Sequence, residues 1–191
     1  MFNTRRIQSN NGFTLVELLV VISIIGVLSS TVLAAVSSAR VKAENAARIQ
    51  TMQEYEKALQ LILTDKGDYP KPDTSTFPFV CINNDTSQPC DFFFDTGGYD
   101  LALNQEFATY LPSLPQLKYI EDNSFGYNGG GGPIYTCATP GSPLAALKDC
   151  LLPGVQGVFF WSMKGDNEKC MSGYAPISLG SGTTVCWPIL Y

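Results

Sequence analysis

One acidic side chain, Glu17, lies inside an otherwise apolar run and is the first candidate for chemistry in this chain. Apolar or uncharged residues 13–16 precede it, and the 22 residues 18–39 carry no charge and no proline. A carboxylate at the centre of a membrane-spanning helix costs roughly 2.5–3.5 kcal/mol, and this cost falls near the membrane edge. Two interpretations therefore stay open: a carboxylate at the lipid headgroups, or a carboxylate paired with a cation. Because the next cation along the helix is Arg40, the pairing group would be an amine made by cleavage or a group on another chain.

Six cysteines are the second set of candidates, and all of them lie beyond the apolar run. An even number of cysteines on the far side of a membrane is typical of disulfides. Short loops close most easily, which favours sequential pairing without excluding the other pairings. The sequential pairs are Cys81–Cys90, Cys137–Cys150 and Cys170–Cys186. A zinc site is disfavoured, because the chain contains no histidine and no C-x-x-C motif.

The ionisable residues argue against catalysis and against nucleic-acid binding. Without histidine, Ser-His-Asp triads and histidine metal sites are excluded, whereas paired carboxylates, as in glycoside cleavage, remain possible. From residue 67 onward there are 12 scattered acidic residues, 5 lysines and no arginine, and no acidic pair stands out. The net charge of −5 becomes −7 if Arg5 and Arg6 are removed, whereas nucleic-acid binding needs clustered basic residues. We therefore expect no catalytic residues and no nucleic-acid partner.

The apolar run is long enough to cross a membrane. As a helix, residues 18–39 would be about 33 Å long, against about 30 Å for a hydrocarbon core. The polar segment 1–12 has no apolar centre, unlike an ordinary secretory signal. Arg5 and Arg6 favour an amino terminus in the cytoplasm, although Arg40 and Lys42 flank the other end. The cysteines decide between the two orientations, because disulfides form on the oxidising side.

Beyond the apolar run, the pattern becomes that of an amphipathic helix. Apolar residues recur at spacings of 3, 3, 4 and 3, which places them on one helix face: Ile49, Met52, Tyr55, Leu59 and Ile62. We expect this face to contact a folded head. Gly67 and Pro70 predict that the helix ends at Lys66.

The rest of the chain predicts an α+β head with an antiparallel sheet packed on the helix. Asp100 is expected to cap a short helix over residues 101–111, and the four glycines 129–132 predict a turn. Apolar segments predict strands at residues 77–82, 134–138, 157–163, 172–178 and 183–190. The expected organisation is a leader 1–12, a membrane helix 13–39, its amphipathic continuation 40–66 and a head 67–191.

Residues 12–21, Gly-Phe-Thr-Leu-Val-Glu-Leu-Leu-Val-Val, resemble the class III signal of type IV pilins and type II secretion pseudopilins. The turn Gly67-Asp68-Tyr69-Pro70 is similar to the G-x-Y-P turn that ends the first helix in that family. The two matches together cover roughly residues 12–70. The resemblance implies the pilin fold, cleavage by a prepilin peptidase between Gly12 and Phe13, N-methylation of Phe13, and a role for Glu17 in docking. Many members have a proline in the apolar helix, which is absent here and weakens the case for a kink.

The resemblance also implies a structural subunit that does no chemistry. Its partners would be other pilin subunits in a homopolymer or heteropolymer, the prepilin peptidase, an inner-membrane assembly platform and, before assembly, membrane lipid. The chain would first be a single-pass protein of the inner membrane and then part of an extracellular pilus or a periplasmic pseudopilus. Major pilin, minor pilin and pseudopilin are not separated by the sequence. A tethered binding module, such as a minor pilin or adhesin, stays open as the alternative, with a tethered enzyme as the weaker one.

The carboxyl-terminal loop has two further implications from the resemblance. Type IV pilins often close such a loop with a disulfide, here Cys170–Cys186. Some pseudopilins bind calcium in a loop of this kind, and residues 166–168, Asp-Asn-Glu, lie next to it. Three polar residues do not make a site, so we expect no cofactor and keep calcium as a weak alternative.

Overall fold

The structure is a computed structural model that describes residues 12–72, 79–83, 91–92, 95–96, 98–115, 117–122, 127–131, 133–138, 156–178 and 182–189. The chain divides into two compact units, residues 1–40 and 41–191. The expected α+β class with a long amino-terminal helix is confirmed.

Helix α1 comprises Leu15–Lys66. It ends where the sequence predicts, because Gly67 has a positive φ of 74° and its N–H donates to the Leu63 carbonyl at 2.8 Å. This left-handed residue satisfies one of the carbonyls that a helix end leaves free. The helix begins at Leu15 and not at Phe13, because Thr14 is its N-cap.

In the first unit, the described residues of α1 form one unbroken α-helix whose side chains are exposed. Three hydroxyl groups donate to carbonyls three residues earlier: Ser23 to Val20, Ser30 to Val27 and Thr31 to Leu28, at 2.8–2.9 Å. The hydroxyls are thus satisfied within the helix itself, as an apolar surrounding requires.

In the second unit, one face of α1 packs into the main hydrophobic core. The predicted stripe is confirmed, since Met52, Tyr55, Leu59 and Ile62 are buried and Ile49 is partly buried. The same face continues into two polar residues that the sequence pattern did not include, Asn45 and Arg48.

These two polar residues bind the backbone of the sheet. The Asn45 side chain accepts from the Lys164 N–H at 3.0 Å and donates to the Lys164 carbonyl at 2.8 Å. The Arg48 guanidinium donates to the Ser162 carbonyl at 3.3 Å. Burial lowers the pKa of Arg48 to about 10, which Glu44 opposes, so the group stays charged at neutral pH.

The sheet on which α1 packs has six strands. In chain order its members are β1 (Val80–Cys81), β4 (Gly98–Tyr99), β7 (Ile134–Ala138), β8 (Gln156–Lys164), β9 (Tyr174–Ser178) and β10 (Thr183–Pro188). Their spatial order is β4-β1-β7-β8-β10-β9. The β4–β1 pair is parallel and the other four pairs are antiparallel. The predicted antiparallel sheet is therefore confirmed, with one short parallel strand added at its edge.

Strand β8 is apolar on both faces of the sheet, as its sequence predicts. Phe159, Trp161 and Met163 belong to the core shared with α1, whereas Val158 and Phe160 belong to a cluster on the other face. In the main core, aromatic rings of Tyr55, Phe107, Tyr135 and Phe159 contact one another with centroids 5.3–6.2 Å apart. Such edge-on and tilted contacts are the geometry that aromatic pairs prefer.

Helix α2 (Leu101–Tyr110) forms one residue shorter than predicted and is capped by Asp100, whose side chain accepts from the Leu103 N–H at 3.0 Å. Two polar contacts join it to the end of α1. Lys66 pairs with Glu106 at 2.7 Å, and the Tyr110 hydroxyl donates to Asp65 at 2.5 Å.

Two small antiparallel pairs complete the described elements: β2 (Asp91–Phe92) with β3 (Asp95–Thr96), and β5 (Leu117–Asp122) with β6 (Tyr127–Gly131). The predicted turn at the glycine run is wrong for residues 129–131, which pair in β6. Glycine weakens strands but can join a ladder when a partner strand supplies the hydrogen bonds.

Candidate functional site: the start of the apolar helix

Glu17 lies in the first turn of α1 and is hydrogen-bonded to Thr14. Its backbone N–H donates to Thr14 Oγ1 at 3.2 Å. In return, Glu17 Oε2 accepts from the Thr14 N–H and from Thr14 Oγ1, each at 2.8 Å. This reciprocal pattern is a capping box, which satisfies two of the N–H groups that a helix start leaves free.

The capping box adds a partner that the sequence interpretation of Glu17 lacked. The sequence left open the lipid headgroups or a cation as surroundings of the Glu17 carboxylate, whereas the structure gives the carboxylate a neutral partner, Thr14, on its own chain. The spacing Thr-x-x-Glu before an apolar run is the sequence signal for this motif. Both bonds from Thr14 end on Oε2, and within the described residues no bond ends on Oε1. A second donor, including an ammonium group, can therefore still bind the carboxylate.

Gly12 and Phe13 lie directly before this cap in an exposed, non-helical segment. The Phe13 side chain is 87% exposed. A Cβ added at Gly12 would meet no atom within 4 Å, so the glycine is not required there by packing. The bond between Gly12 and Phe13 is accessible to another protein.

The apolar helix behind the cap is long and apolar enough to cross a membrane, and the described residues contain one such helix. None of its apolar window is buried within the chain. Large apolar side chains are exposed on all sides, including Leu18, Ile25 and Leu33. A surface of this kind requires lipid or other apolar helices around it.

Among the predicted disulfides, Cys170–Cys186 is confirmed, with the two Cα atoms 5.7 Å apart. It links the segment before β9 to β10, and both sulfurs are in the core. Cys81 and Cys137 are also disulfide-bonded and buried. Cys90 and Cys150 lie outside the described residues, so the two pairs that include them stay predictions.

The acidic segment after β8 is hydrogen-bonded to the end of β9 and to the residue before β10. Asp166 Oδ1 accepts from the Ser178 hydroxyl at 2.7 Å, and Asp166 Oδ2 accepts from the Gly182 N–H at 3.2 Å. In the part of the chain that the structure describes, no three acidic or cysteine side chains are grouped so that they could hold a metal ion.

Comparison with known proteins gives two matches for this region. The family model described as the prokaryotic N-terminal methylation motif matches residues 7–33. The type II secretion system core protein G of Aeromonas hydrophila is 31% identical over 128 residues, which are 65% of this chain and 88% of that protein. No solved structure matches the chain significantly. The first match includes the Gly12–Phe13 bond, the capping box and most of the apolar helix.

Proposed function

We propose that this chain, which belongs to the family of type IV pilins and type II secretion pseudopilins, is a structural subunit of a helical filament. The observation that carries the proposal is the start of α1. An accessible Gly12–Phe13 bond precedes a capped apolar helix, and Glu17, the one acidic residue of segment 13–39, sits in the first turn of that helix. The chain would contribute shape and surface to the filament and no catalysis.

Processing by a prepilin peptidase is the first step of the proposal. Cleavage after Gly12 removes the leader 1–12 and leaves an α-ammonium group on Phe13, which is then N-methylated. The exposure of the Phe13 side chain and the non-helical backbone of residues 12–14 support access by a peptidase. The match to a methylation motif supports the modification.

Assembly then places the new ammonium group of one subunit against Glu17 of another. Thr14 holds Oε2 of this carboxylate and leaves Oε1 able to accept the ammonium. A buried contact of this kind fixes the axial register of neighbouring helices more credibly than it adds net stability. The exposed apolar residues of 13–39 would be covered by the same segments of other subunits.

The location follows from these steps. Before assembly, segment 13–39 would lie in the inner membrane with the leader in the cytoplasm, while 40–66 and the disulfide-bonded head 67–191 would be outside it. An assembly platform would then transfer the chain from lipid into the filament. The name of the Aeromonas relative favours a pseudopilus over a surface pilus.

A deletion strain tests the proposal. We expect loss of the gene to abolish either a secretion-dependent activity in the medium or the surface filaments seen by electron microscopy. Loss of secretion with surface filaments intact identifies a pseudopilin, and loss of all filaments identifies a major pilin. Normal secretion together with normal filament number would contradict a structural role as main subunit and favour a tethered binding module.

A further inference from the structure

A groove of about 770 Å³ opens in the head between the second half of α1 and the sheet. Glu56, Gln60 and Leu61 line it from the helix, and Gln156, Gly157 and Ile189 line it from the sheet side. Leu61 and Ile189 are 54% and 41% exposed, so the groove has apolar walls that face solvent. Its volume is in the range of sites that hold a ligand or a partner's side chain.

The groove exists because the sheet divides along β8. Strand β7 pairs with the first half of β8, up to Phe160, whereas β10 pairs with the second half, from Trp161 to Lys164. The last residues of β10, Trp187 and Pro188, pair only with β9. Among the described strands, none therefore pairs with the first half of β8 on the side away from β7.

Glu56 supplies the charge of the groove. It is half-buried and lines the groove together with Tyr174. Burial raises the pKa of the Glu56 carboxyl above its ordinary value. No cation of the described residues forms an ion pair with Glu56. A half-buried carboxylate without an ion-pair partner favours binding an ammonium group of another molecule, because the ion pair offsets the hydration that the carboxylate lost on burial.

Lys164 is the last residue of β8, and the groove is lined by the first residues of that strand. Its backbone is fixed by the two hydrogen bonds to the Asn45 side chain, while the Lys164 side chain is exposed. Asn45 and Glu56 are eleven residues apart on α1, which corresponds to about 16 Å along the helix. Two extended side chains cannot span that distance, so Glu56 and Lys164 do not reach each other within one chain.

We propose that the groove is the docking site for a second copy of this chain, and that it takes the Lys164 ammonium of that copy against Glu56. The inference rests on the proposed filament function. The two surfaces lie at opposite ends of β8 and differ from each other, so the contact is heterologous and, where the rotation does not close, generates an open helical array. The head, residues 67–191, contains no arginine and no histidine, so any cationic side chain that the head offers to Glu56 is a lysine.

Zero-length cross-linking of sheared filaments with a carbodiimide tests this contact. The reagent joins a carboxylate to an amine only where the two already touch. We expect mass spectrometry to find a peptide that contains Glu56 joined to a peptide that contains Lys164. Because the distance excludes this product within one chain, its presence reports contact between two copies. The detergent-extracted, unassembled protein should not yield it.

Two matched variants sharpen the result. Lys164→Gln should remove the product, while Lys169→Gln, a change of the other exposed lysine near that end, should leave it. Lys57 also lines the groove and repels a guest ammonium, so Lys57→Gln should increase the yield. If Glu56 in wild-type filaments is joined to a different lysine, or to none, the Glu56–Lys164 contact is refuted while the proposed filament function still stands. Normal secretion together with normal filament number in the deletion strain would instead overturn the proposed function from which the inference starts.

Discussion

At the residue scale, Glu17 has two separable roles. Its carboxylate completes the capping box with Thr14, and its charge is available to an ammonium group on another subunit. A capping box needs the side-chain oxygen and not the charge, since glutamine also serves at this position. The two roles can therefore be tested by different substitutions.

We expect Glu17→Gln to lower the yield of sheared filaments at least about tenfold, because removing one partner of a buried charge pair costs roughly 3–5 kcal/mol. The matched variant Thr14→Ala keeps the charge and removes the cap, at a cost of about 1 kcal/mol, and should lower the yield less than about fivefold. Immunoblots of sheared and membrane fractions measure both yields. Equal losses in the two variants would mean that Glu17 acts through the cap.

Glu56 makes a prediction about pH. Because burial raises the pKa of its carboxyl from the ordinary 4.5, the ionised form is disfavoured in the folded head. The stability that protonated Glu56 contributes is present below 4.5 and is lost as the pH rises through the raised value. We expect Glu56→Gln to raise the Tm of the detergent-solubilised protein at neutral pH and to leave it unchanged below 4.5. A lower Tm for the variant at neutral pH would show that the charge stabilises the isolated head.

At the element scale, local patterns predicted most of the fold. The stripe from Ile49 to Ile62 gave the buried face of α1, and the Gly67 turn gave its end. The apolar runs gave β7 and β8 to within one residue at each end. What escaped prediction depends on partners distant in sequence. Asn45 and Arg48 are buried because β8 presents carbonyls to them, which no helical period reveals.

Strand β8 passes close to a neighbouring ring at Gly157. A Cβ there would lie 2.2 Å from the Tyr135 hydroxyl and 2.8 Å from two of its ring carbons. The same hydroxyl donates to the Pro70 carbonyl at 2.9 Å, so the ring cannot shift without losing that bond.

We therefore expect Gly157→Ala to destabilise the protein by about 1–3 kcal/mol through overpacking. This corresponds to a fall in Tm of roughly 2–12 °C for a chain of this size. Gln156→Ala, at the exposed neighbouring position, is the control and should change stability by less than about 0.5 kcal/mol. Thermal unfolding followed by circular dichroism gives both values, and equal Tm values for the two variants would refute the steric explanation.

The disulfide Cys170–Cys186 ties two neighbouring segments of the sheet edge, with a sequence separation of 16. A closed loop of this size stabilises by about 3 kcal/mol in the chain-entropy model. Replacing both cysteines by alanine should therefore lower the Tm by roughly 6–12 °C while the fold is kept. A drop smaller than about 2 °C would mean that the core around β9 and β10 holds without the bond.

At the scale of the whole molecule, the two units are adapted to different surroundings. The described part of residues 1–40 exposes a continuous apolar surface, whereas residues 41–191 enclose a core of their own. Composition alone predicted this contrast, because residues 18–39 form an uncharged run long enough to cross a membrane. The divided sheet and the groove were beyond the sequence, since each depends on how distant strands meet.

The most direct test of the account is the intact mass of the chain in its assembled form. The account predicts that protein from sheared filaments begins at Phe13 and carries one additional methyl group on its amino terminus. Tandem mass spectrometry of the first peptide locates both features. An assembled chain that retains Met1, or that is cut well away from Gly12, would contradict it.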